Sequence, residues 1–273
     1  MTNKVFAFTN QKGGVGKTTS CINLAASLAA QSQKVLVLDM DPQGNATMGS
    51  GVDKSSVSVS MNELLLDTVS VWEALIHNTP AGYDLVPANG DLTEAEVALT
   101  KVSGKEHQLR EALIPTLEEY DWIVIDCPPA LNMLTVNALT ASQAAIVTMQ
   151  CEYFALEGLS DLLNTVNQLK QTVNPQLKIG GILRTMFDAR NRLAVDVSAQ
   201  LVQHFGGGVF QTVIPRNIRL AEAPSHGLPV HLYDRGSRGA AAYMAFAAEW
   251  MHRFKGTTVP FQMVVDRDSE TVG

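Results

Sequence analysis

The strongest chemical signal in the sequence is the segment NQKGGVGKTT at residues 10–19. Its glycines allow backbone N–H groups to converge on one point, an arrangement that binds phosphate oxygens. Lys17 would neutralise the β- and γ-phosphates of a nucleotide, and the Thr18 hydroxyl is a ligand that Mg²⁺ accepts. An apolar run at Val5–Thr9 precedes the segment and a helical pattern follows it, so a helix N-terminus would add partial positive charge. The pattern therefore predicts a phosphate-binding loop.

One position of this loop departs from the usual G-x-x-x-x-G-K-[ST] pattern. Gln11 stands where the first glycine is expected, and its neighbour Lys12 adds a second lysine. The strand before the loop and the helix after it still favour nucleotide binding over an ordinary glycine-rich turn. The predicted ATP-binding residues of the loop are Lys12, Gly13, Gly14, Val15, Gly16, Lys17, Thr18 and Thr19.

Acidic residues follow two further apolar runs. Asp39 and Asp41 come after Val35–Leu38, and the alternation of a strand places both on the same side of the chain. Asp126 comes directly after the apolar run Trp122–Ile125. In phosphate-transferring enzymes, the aspartate that holds Mg²⁺ has the same position at the end of an apolar strand. Because ligands bind at the carboxyl ends of parallel strands, we expect these carboxylates to meet beside the phosphate loop. The candidate Mg²⁺ ligands are Thr18, Asp39, Asp41 and Asp126.

Strand-length apolar runs recur along the chain, with stretches of helical period between them. They are Val5–Thr9, Val35–Leu38, Trp122–Ile125, Ala145–Met149, Ile179–Leu183 and Val209–Ile214. Such alternation is typical of an α/β fold, in which helices cover both faces of a mainly parallel, twisted sheet. We expect a single domain over residues 1–255, followed by an acidic and flexible tail over residues 256–273.

The helical pattern is clearest in three places. The predicted helices are Thr18–Ala30, Leu156–Val173 and Gly239–Lys255. The last of them carries an aromatic stripe that we assign to core packing: Tyr243, Phe246, Trp250 and Phe254. Gly44–Ser60 is rich in Gly, Ser and Thr, so we predict a mobile loop there. Glu63–Ser103 is expected to form short helices around a strand at Tyr83–Pro87.

Composition limits the possible functions, but the average charge hides an asymmetry. The 273 residues include 46% hydrophobic and 17% charged side chains, enough to form a large core, and the net charge of −7 argues against a nucleic-acid partner for the chain as a whole. Residues 1–180 carry a net charge of −9, whereas residues 181–256 carry +4 and eight of the ten arginines. Arginine suits phosphate contacts, so this segment is a candidate DNA-binding surface. Its candidate DNA-binding residues include Arg192, Arg235 and Arg238.

The location of the protein is predicted from its cysteines and its N-terminus. The three cysteines are widely spaced and form no C-x-x-C pair, so neither a disulfide framework nor a zinc site is indicated. The N-terminal residues lack the basic and apolar regions of a secretory signal. We therefore expect a cytoplasmic protein.

Three blocks of sequence carry a family resemblance. KGGVGKTT at residues 12–19, DMDPQGN at 39–45 and DCPP at 126–129 resemble the deviant Walker A ATPases of the ParA/MinD superfamily of P-loop NTPases. Later segments are similar to the short chromosomal ParA, or Soj, type: QCEYFALEGL at 150–159, MFDAR at 186–190, IPRNIRLAEAPSHG at 214–227 and YDRGSRGA at 233–240. The resemblance extends from residue 4 to about residue 255.

The resemblance implies roles for individual residues. Lys12 matches the signature lysine that reaches the phosphates of the other subunit in an ATP-sandwich homodimer, and Asp41 matches the residue that orients the attacking water. Together with Lys17, these are the expected catalytic residues. The Pro215-Arg216-Asn217 turn resembles the adenine-binding turn of the family, and Glu152 is expected to reach the ribose across the dimer.

The resemblance also implies a biological function. Arginines matching Arg190 and Arg219 line a DNA-binding surface that becomes continuous only in the dimer. We therefore expect a Mg²⁺-dependent partitioning ATPase that binds double-stranded DNA without sequence preference, associates with the nucleoid, and is released when a ParB-type protein stimulates hydrolysis.

Three alternative functions share the predicted fold. An orphan ParA-like ATPase would position a protein cargo on the nucleoid. A MinD-like ATPase would cycle on a membrane, which requires a C-terminal amphipathic helix with a basic polar face. An iron–sulfur carrier would need cysteines that bridge a cluster between subunits, and no suitable spacing occurs here. The sequence favours a partitioning function without a membrane partner.

Overall fold

The apolar runs form the parallel strands of one seven-stranded sheet in the computed structural model, which describes residues 4–101 and 104–255. The strands are β1 Val5–Thr9, β2 Val35–Asp39, β3 Asp84–Val86, β4 Trp122–Asp126, β5 Ala144–Gln150, β6 Lys178–Phe187 and β7 Val209–Pro215. Their order across the sheet is β3-β2-β4-β1-β5-β6-β7, and each paired neighbour is parallel. The predicted α/β fold is confirmed.

Helices cover both faces of this sheet within the described residues. They are α1 Lys17–Ala29, α2 Asn45–Gly49, α3 Met61–Leu65, α4 Val71–Ala74, α5 Leu92–Leu99, α6 Gln108–Ala112, α7 Met133–Ala141, α8 Ala155–Thr172, α9 Arg192–Phe205, α10 Ile218–Glu222, α11 Val230–Tyr233 and α12 Arg238–Lys255. Successive residues of β1 enter opposite cores: Val5 and Ala7 face one, Phe6 and Phe8 the other. Burial on both faces explains why the strands read as continuous apolar runs.

The aromatic stripe of α12 lies in the second of these cores, as predicted. Tyr243, Phe246 and Trp250 are fully buried, and the ring of Trp250 meets Phe6 edge-on at a centroid distance of 4.6 Å. This contact fixes the last described helix over the centre of the sheet. Within the described residues, no helix combines the length and apolar character needed to cross a membrane.

The prediction of a loop over Gly44–Ser60 is wrong for its first part, whereas residues 50–60 are irregular apart from a short 3-10 turn at Lys54–Ser56. Helix α2 begins at Asn45, and Ala46 and Thr47 within it are fully buried. The Thr47 backbone and hydroxyl both donate hydrogen bonds to Asp39, which ties the segment to the end of β2. The predicted strand at Tyr83–Pro87 is present as the shorter β3, and the predicted tail at 256–273 lies outside the described residues.

Candidate functional site

The predicted phosphate loop joins the end of β1 to the start of α1. Gly14 and Gly16 adopt left-handed backbone conformations, with φ of +72° and +83°, which side chains rarely tolerate. The loop is anchored by Asn10, whose Oδ1 accepts the Lys12 N–H at 2.9 Å and whose Nδ2 donates to the Thr148 carbonyl of β5 at 2.7 Å. The exposed glycine backbone and the N-terminus of α1 therefore face the same space, as anion binding requires.

The two lysines of the loop differ in environment. Lys17 is buried, and its Nζ donates to the Lys12 carbonyl at 3.3 Å. Burial lowers the pKa of Lys17, while the nearby Asp126 carboxylate opposes that change. Lys12 is exposed, and its Nζ lies 2.5 Å from Glu152 Oε2. Lys17 is thus fixed beside the phosphate position, whereas Lys12 is held only by a surface ion pair.

The predicted carboxylates do converge, because β2 and β4 are neighbours and Asp39 pairs with Asp126 across them. Both residues are fully buried. Neither carboxylate oxygen of Asp126 accepts a well-formed hydrogen bond from the described residues. Burial, followed by the proximity of Asp39, raises the pKa of Asp126 well above its usual range, and the Thr18 side chain offsets part of that rise. Burying a carboxyl group without a well-formed hydrogen bond costs folding free energy, and a bound cation would offset that cost. The environment of Asp126 therefore favours the binding of a cation.

Asp39 and Asp41 are held by the turn that follows β2. Asp39 accepts hydrogen bonds from the Asp41 N–H at 3.1 Å and from the backbone and hydroxyl of Thr47 at 2.8 and 2.7 Å. Burial nevertheless raises the pKa of Asp39 to about 6. Asp41 Oδ1 accepts the Gln43 N–H at 3.0 Å, and its residue is 9% exposed. Asp39 therefore organises the turn, while Asp41 is slightly less buried than Asp39.

These residues fit a magnesium ion bound together with nucleotide phosphates. Thr18 and Asp126 would hold the ion directly or through water, with Asp41 and Asp39 around them. Mg²⁺ typically takes only one or two protein groups in such sites and completes its shell with water and phosphate oxygens. When bound, the ion would neutralise charge on the phosphates.

The predicted adenine turn follows β7 at the same edge of the sheet. Pro215 pairs with Phe187 of β6, and the Arg216 N–H donates to the Phe187 carbonyl at 3.1 Å. Asn217 is the N-cap of α10, and its side chain accepts the Arg219 N–H at 3.0 Å. The turn therefore occupies a fixed position in the fold. Contact with a base remains a prediction.

The arginines of the basic segment fall into two groups. Arg184 and Arg253 are structural: Arg184 donates to Ser198 Oγ and to the Phe210 carbonyl, both at 2.8 Å. The Arg253 guanidinium lies 4.0 Å from the centre of the Phe210 ring and donates to the Gly207 carbonyl. These two side chains stabilise the β6–β7 edge and do not contribute to a DNA surface.

The remaining arginines of this segment are exposed. Arg190 forms a two-point ion pair with Asp188, at 2.9 and 2.7 Å. Arg219 contacts Glu222 at 2.8 Å and Asp234 at 3.1 Å. Exposed arginines without an ion pair among the described residues are Arg192, Arg216, Arg235 and Arg238. The side chains available for phosphate contacts thus include all three that were predicted from composition.

One contact to the phosphate loop has no counterpart in the sequence pattern. The Thr185 hydroxyl of β6 donates to the Val15 carbonyl at 2.8 Å, although 170 positions separate the two residues along the chain. Met186 follows with φ of +48°. Met186 is the first residue of the MFDAR segment that carries the family resemblance, but that resemblance gave neither residue a role, and their location in the folded sheet places them at the site.

A glycine loop between β1 and α1, with a buried aspartate at the end of the neighbouring β4, defines a P-loop ATPase. Residues 3–179 match the family described as AAA domain. The chain is 48% identical to the sporulation initiation inhibitor protein Soj of Bacillus subtilis strain 168, over 90% of this chain and 97% of that protein. It is also 48% identical to the chromosome partitioning protein ParA of Myxococcus xanthus, over 92% and 88%.

Solved structures agree with this class. A crystal structure of cobyrinic acid a,c-diamide synthase from Mycobacterium smegmatis, with a bound ATP analogue and magnesium, matches with a TM-score of 0.81 and 37% identity, over 93% of this chain and 96% of that one. The chain therefore belongs to the ParA/Soj family of chromosome-partitioning ATPases, as its motifs predict.

Proposed function

We propose that this protein is a Mg²⁺-dependent ATPase whose ATP-bound dimer binds duplex DNA without sequence preference, and that hydrolysis releases it. One observation carries the proposal: the phosphate loop after β1 and the exposed arginines after β6 and β7 lie at the same edge of one sheet. The similarity to named partitioning proteins supports the same function. Nucleotide binding and DNA binding would thus occur on adjoining surfaces.

The chemistry follows from the fixed positions of the site. Backbone N–H groups of the loop and Lys17 bind the phosphates, and Asp126 with Thr18 holds Mg²⁺. Asp41, at the end of the same turn as Asp39, orients the attacking water. Because these groups are fixed before the substrate binds, little reorganisation is needed when charge develops in the transition state.

Lys12 supplies the second phosphate contact, and it acts on the nucleotide of the other subunit. Its side chain is 56% exposed, and its partner Glu152 is 49% exposed. A surface ion pair of this kind contributes about 0–1 kcal/mol, so it can be exchanged for a phosphate at little cost. A cation supplied in trans by this route raises the rate of phosphate transfer by ~10³–10⁵ in GTPases.

Dimerisation can be tested by size-exclusion chromatography with light scattering, in the presence of ATP and Mg²⁺. Asp41→Ala should accumulate an ATP-bound dimer because hydrolysis is blocked. Lys12→Ala should stay monomeric or fail to hydrolyse ATP, and Lys34→Ala, which alters an exposed lysine at the opposite end of β2, should behave as wild type. An Asp41→Ala protein that remains monomeric at saturating ATP would refute the proposed dimer.

DNA binding can be tested with the arginines that the family resemblance assigns. The double variant Arg190→Glu, Arg219→Glu should still dimerise with ATP but lose affinity for duplex DNA, measured by fluorescence anisotropy. Arg110→Glu reverses one charge rather than two, at an exposed arginine outside the basic segment, and should retain affinity. A loss of affinity per reversed charge as large in Arg110→Glu as in the double variant would show only a dependence on net charge.

The partner is expected to be a ParB-type protein that stimulates hydrolysis. Adding such a partner should raise the steady-state ATPase rate in the presence of DNA, and Lys17→Ala should abolish the stimulated rate. DNA-dependent ATPase activity that no ParB-type protein changes would instead indicate an orphan ATPase that positions a protein cargo on the nucleoid.

The packing of the described residues favours DNA over the other partners considered. The aromatic stripe of α12 is buried, so it is not available to a membrane surface. Cys21, Cys127 and Cys151 are also buried, so none presents a thiolate to a second subunit. Except for Lys255, the exposed lysine and arginine side chains of residues 181–255 are arginines, which suit phosphate contacts.

A further inference from the structure

Residues 185–190, which we call the link segment, contact the phosphate loop at their first residue. The Thr185 hydroxyl is buried and donates to the Val15 carbonyl at 2.8 Å. A methyl group placed on Gly16 would lie 3.6 Å from Thr185 Cβ and 3.8 Å from Met186 Cε, so the loop and the link segment pack directly against each other. A shift of the loop on binding phosphate would therefore act on the end of β6.

The second residue of the link segment has a strained backbone. Met186 has φ of +48°, a conformation that costs a bulky residue about 1–3 kcal/mol. The other non-glycine residues with positive φ among the described residues are Ser32, Asp67 and Asn78, and all three are polar and exposed. Met186 is instead half-buried, and its sulfur accepts a contact from Gln150 Nε2 at 2.9 Å. Its surroundings hold the strain in place.

The remainder of the link segment reaches the proposed DNA surface. The Phe187 carbonyl accepts the Arg216 N–H at 3.1 Å, which positions the turn after β7. Asp188 then accepts three hydrogen bonds from Arg190, one from its backbone at 3.0 Å and two from its guanidinium. Six consecutive residues thus connect the phosphate loop, the predicted adenine turn and a predicted DNA-binding arginine.

We propose that the link segment couples the nucleotide state to the orientation of the DNA-binding arginines, an inference that rests on the function proposed above. Thr185 senses the position of the loop, and Met186 is the bistable element, because its left-handed backbone is strained and a change of φ would redirect the residues after it. Asp188 and Arg190 move with it. Thr185 and Met186 are positioning residues, since they act through the Val15 carbonyl and the backbone of the link segment and not by binding phosphate or DNA themselves.

The first test replaces Met186 with glycine. Glycine adopts φ of +48° without strain, so Met186→Gly should preserve the fold but remove both the stored strain and the contact to Gln150. The measured quantity is the ratio of DNA affinity with saturating ATP to that without nucleotide. Couplings between sites are typically ~5–150-fold, so this ratio should fall several-fold while the Kd for ATP stays within about twofold of wild type.

Asn78→Gly is the matched control, because it relieves a positive φ of +49° at an exposed residue outside the site. It should leave the ratio unchanged. Equal ratios in wild type, Met186→Gly and Asn78→Gly would overturn the proposal.

A second pair of variants tests the contact to the loop. Thr185→Val keeps the shape of the side chain but loses the hydroxyl, so DNA affinity at saturating ATP should fall several-fold. Thr185→Ser retains the hydroxyl and should restore it. A serine variant as impaired as the valine variant would contradict a role for the hydrogen bond to Val15.

The two proposals fail in different ways. If wild-type protein shows no ATP-dependent affinity for DNA, the proposed function is wrong, and the proposed coupling through the link segment is wrong as well. If wild type shows that dependence and both Met186→Gly and Thr185→Val retain it, the proposed function stands and the link segment is not the coupling element.

Discussion

The nucleotide site and the basic segment both depend on charged side chains, but they hold them in opposite ways. Lys17, Asp39 and Asp126 are buried and fixed, and the carboxyl of Asp126 lacks a well-formed hydrogen bond. Arg192, Arg235 and Arg238 are exposed and have no ion pair among the described residues. The first arrangement suits chemistry on one ligand in one geometry. The second suits binding to a repeated anionic surface, where each contact adds a similar amount to the free energy of binding.

This difference predicts how each region responds to substitution. In the nucleotide site, the loss of one group should remove most of the activity, because fixed groups act as a unit. In the basic segment, the loss of one exposed arginine should weaken binding by a modest step. The buried Arg184 and the half-buried Arg253 lie in the same segment but should behave like core residues.

The largest effect is expected for Lys17→Ala. Removing this buried cation leaves charge on the phosphates without compensation, so ATP turnover should fall by at least ~10²–10³-fold. Steady-state phosphate release measures the loss, and Lys34→Ala serves as the control on an exposed lysine away from the site. Turnover within a few-fold of wild type would remove the basis for the assigned site.

Arg184→Ala is expected to have a large effect on stability. Its guanidinium donates to Ser198 and to carbonyls of β7, and hydrogen bonds from a charged group contribute about 1.5–3 kcal/mol. Chemical denaturation should show a loss of that size in the free energy of unfolding. Arg238→Ala is the exposed counterpart and should change stability by less than ~0.5 kcal/mol. Similar free energies of unfolding for both variants would contradict the division of these arginines into a structural group and an exposed group.

Asp126→Asn should separate stability from function. Replacing a buried carboxyl that lacks a firm partner with a neutral amide should raise the stability of the nucleotide-free protein by about 1 kcal/mol, or ~2–4 °C in Tm. The same variant should lose the increase in Tm that Mg²⁺ and ATP give the wild type. A variant that is less stable without nucleotide would mean that Asp126 has a structural partner.

The smallest effect is expected for Arg235→Ala and Arg238→Ala. Each should weaken DNA binding to a similar degree for all sequences and reduce the slope of log K against log salt concentration by about 1. Arg110→Ala is the matched control and should leave the slope unchanged. An unaltered slope in all three variants would show that these arginines do not contact phosphates.

Much of the nucleotide site could be predicted from the sequence because its residues are contiguous. The loop around Lys17, together with Asp126, reads directly from strand, glycine and helix patterns, and the ends of most strands were predicted to within a residue or two. β6 is the exception, since it continues to Phe187, well beyond the apolar run that ends at Leu183.

The remaining features depend on partners distant in the chain. Composition predicted a loop over Gly44–Ser60. Hydrogen bonds from Thr47 to the buried Asp39 instead hold part of this segment against the end of β2 as helix α2. The count of arginines included Arg184 because composition does not distinguish buried from exposed side chains. The hydrogen bond from Thr185 to Val15 is created by the order of strands in the sheet and has no signal in either segment.

The central claim is that ATP switches this acidic chain into a DNA-binding form. The most direct test is the affinity of the wild-type protein for duplexes of scrambled sequence, measured by fluorescence anisotropy with ATP, with ADP and without nucleotide, over a range of salt concentrations. The account predicts tight, salt-dependent and sequence-independent binding with ATP and Mg²⁺ alone. Equal affinity in all three states, or binding confined to one sequence, would contradict it.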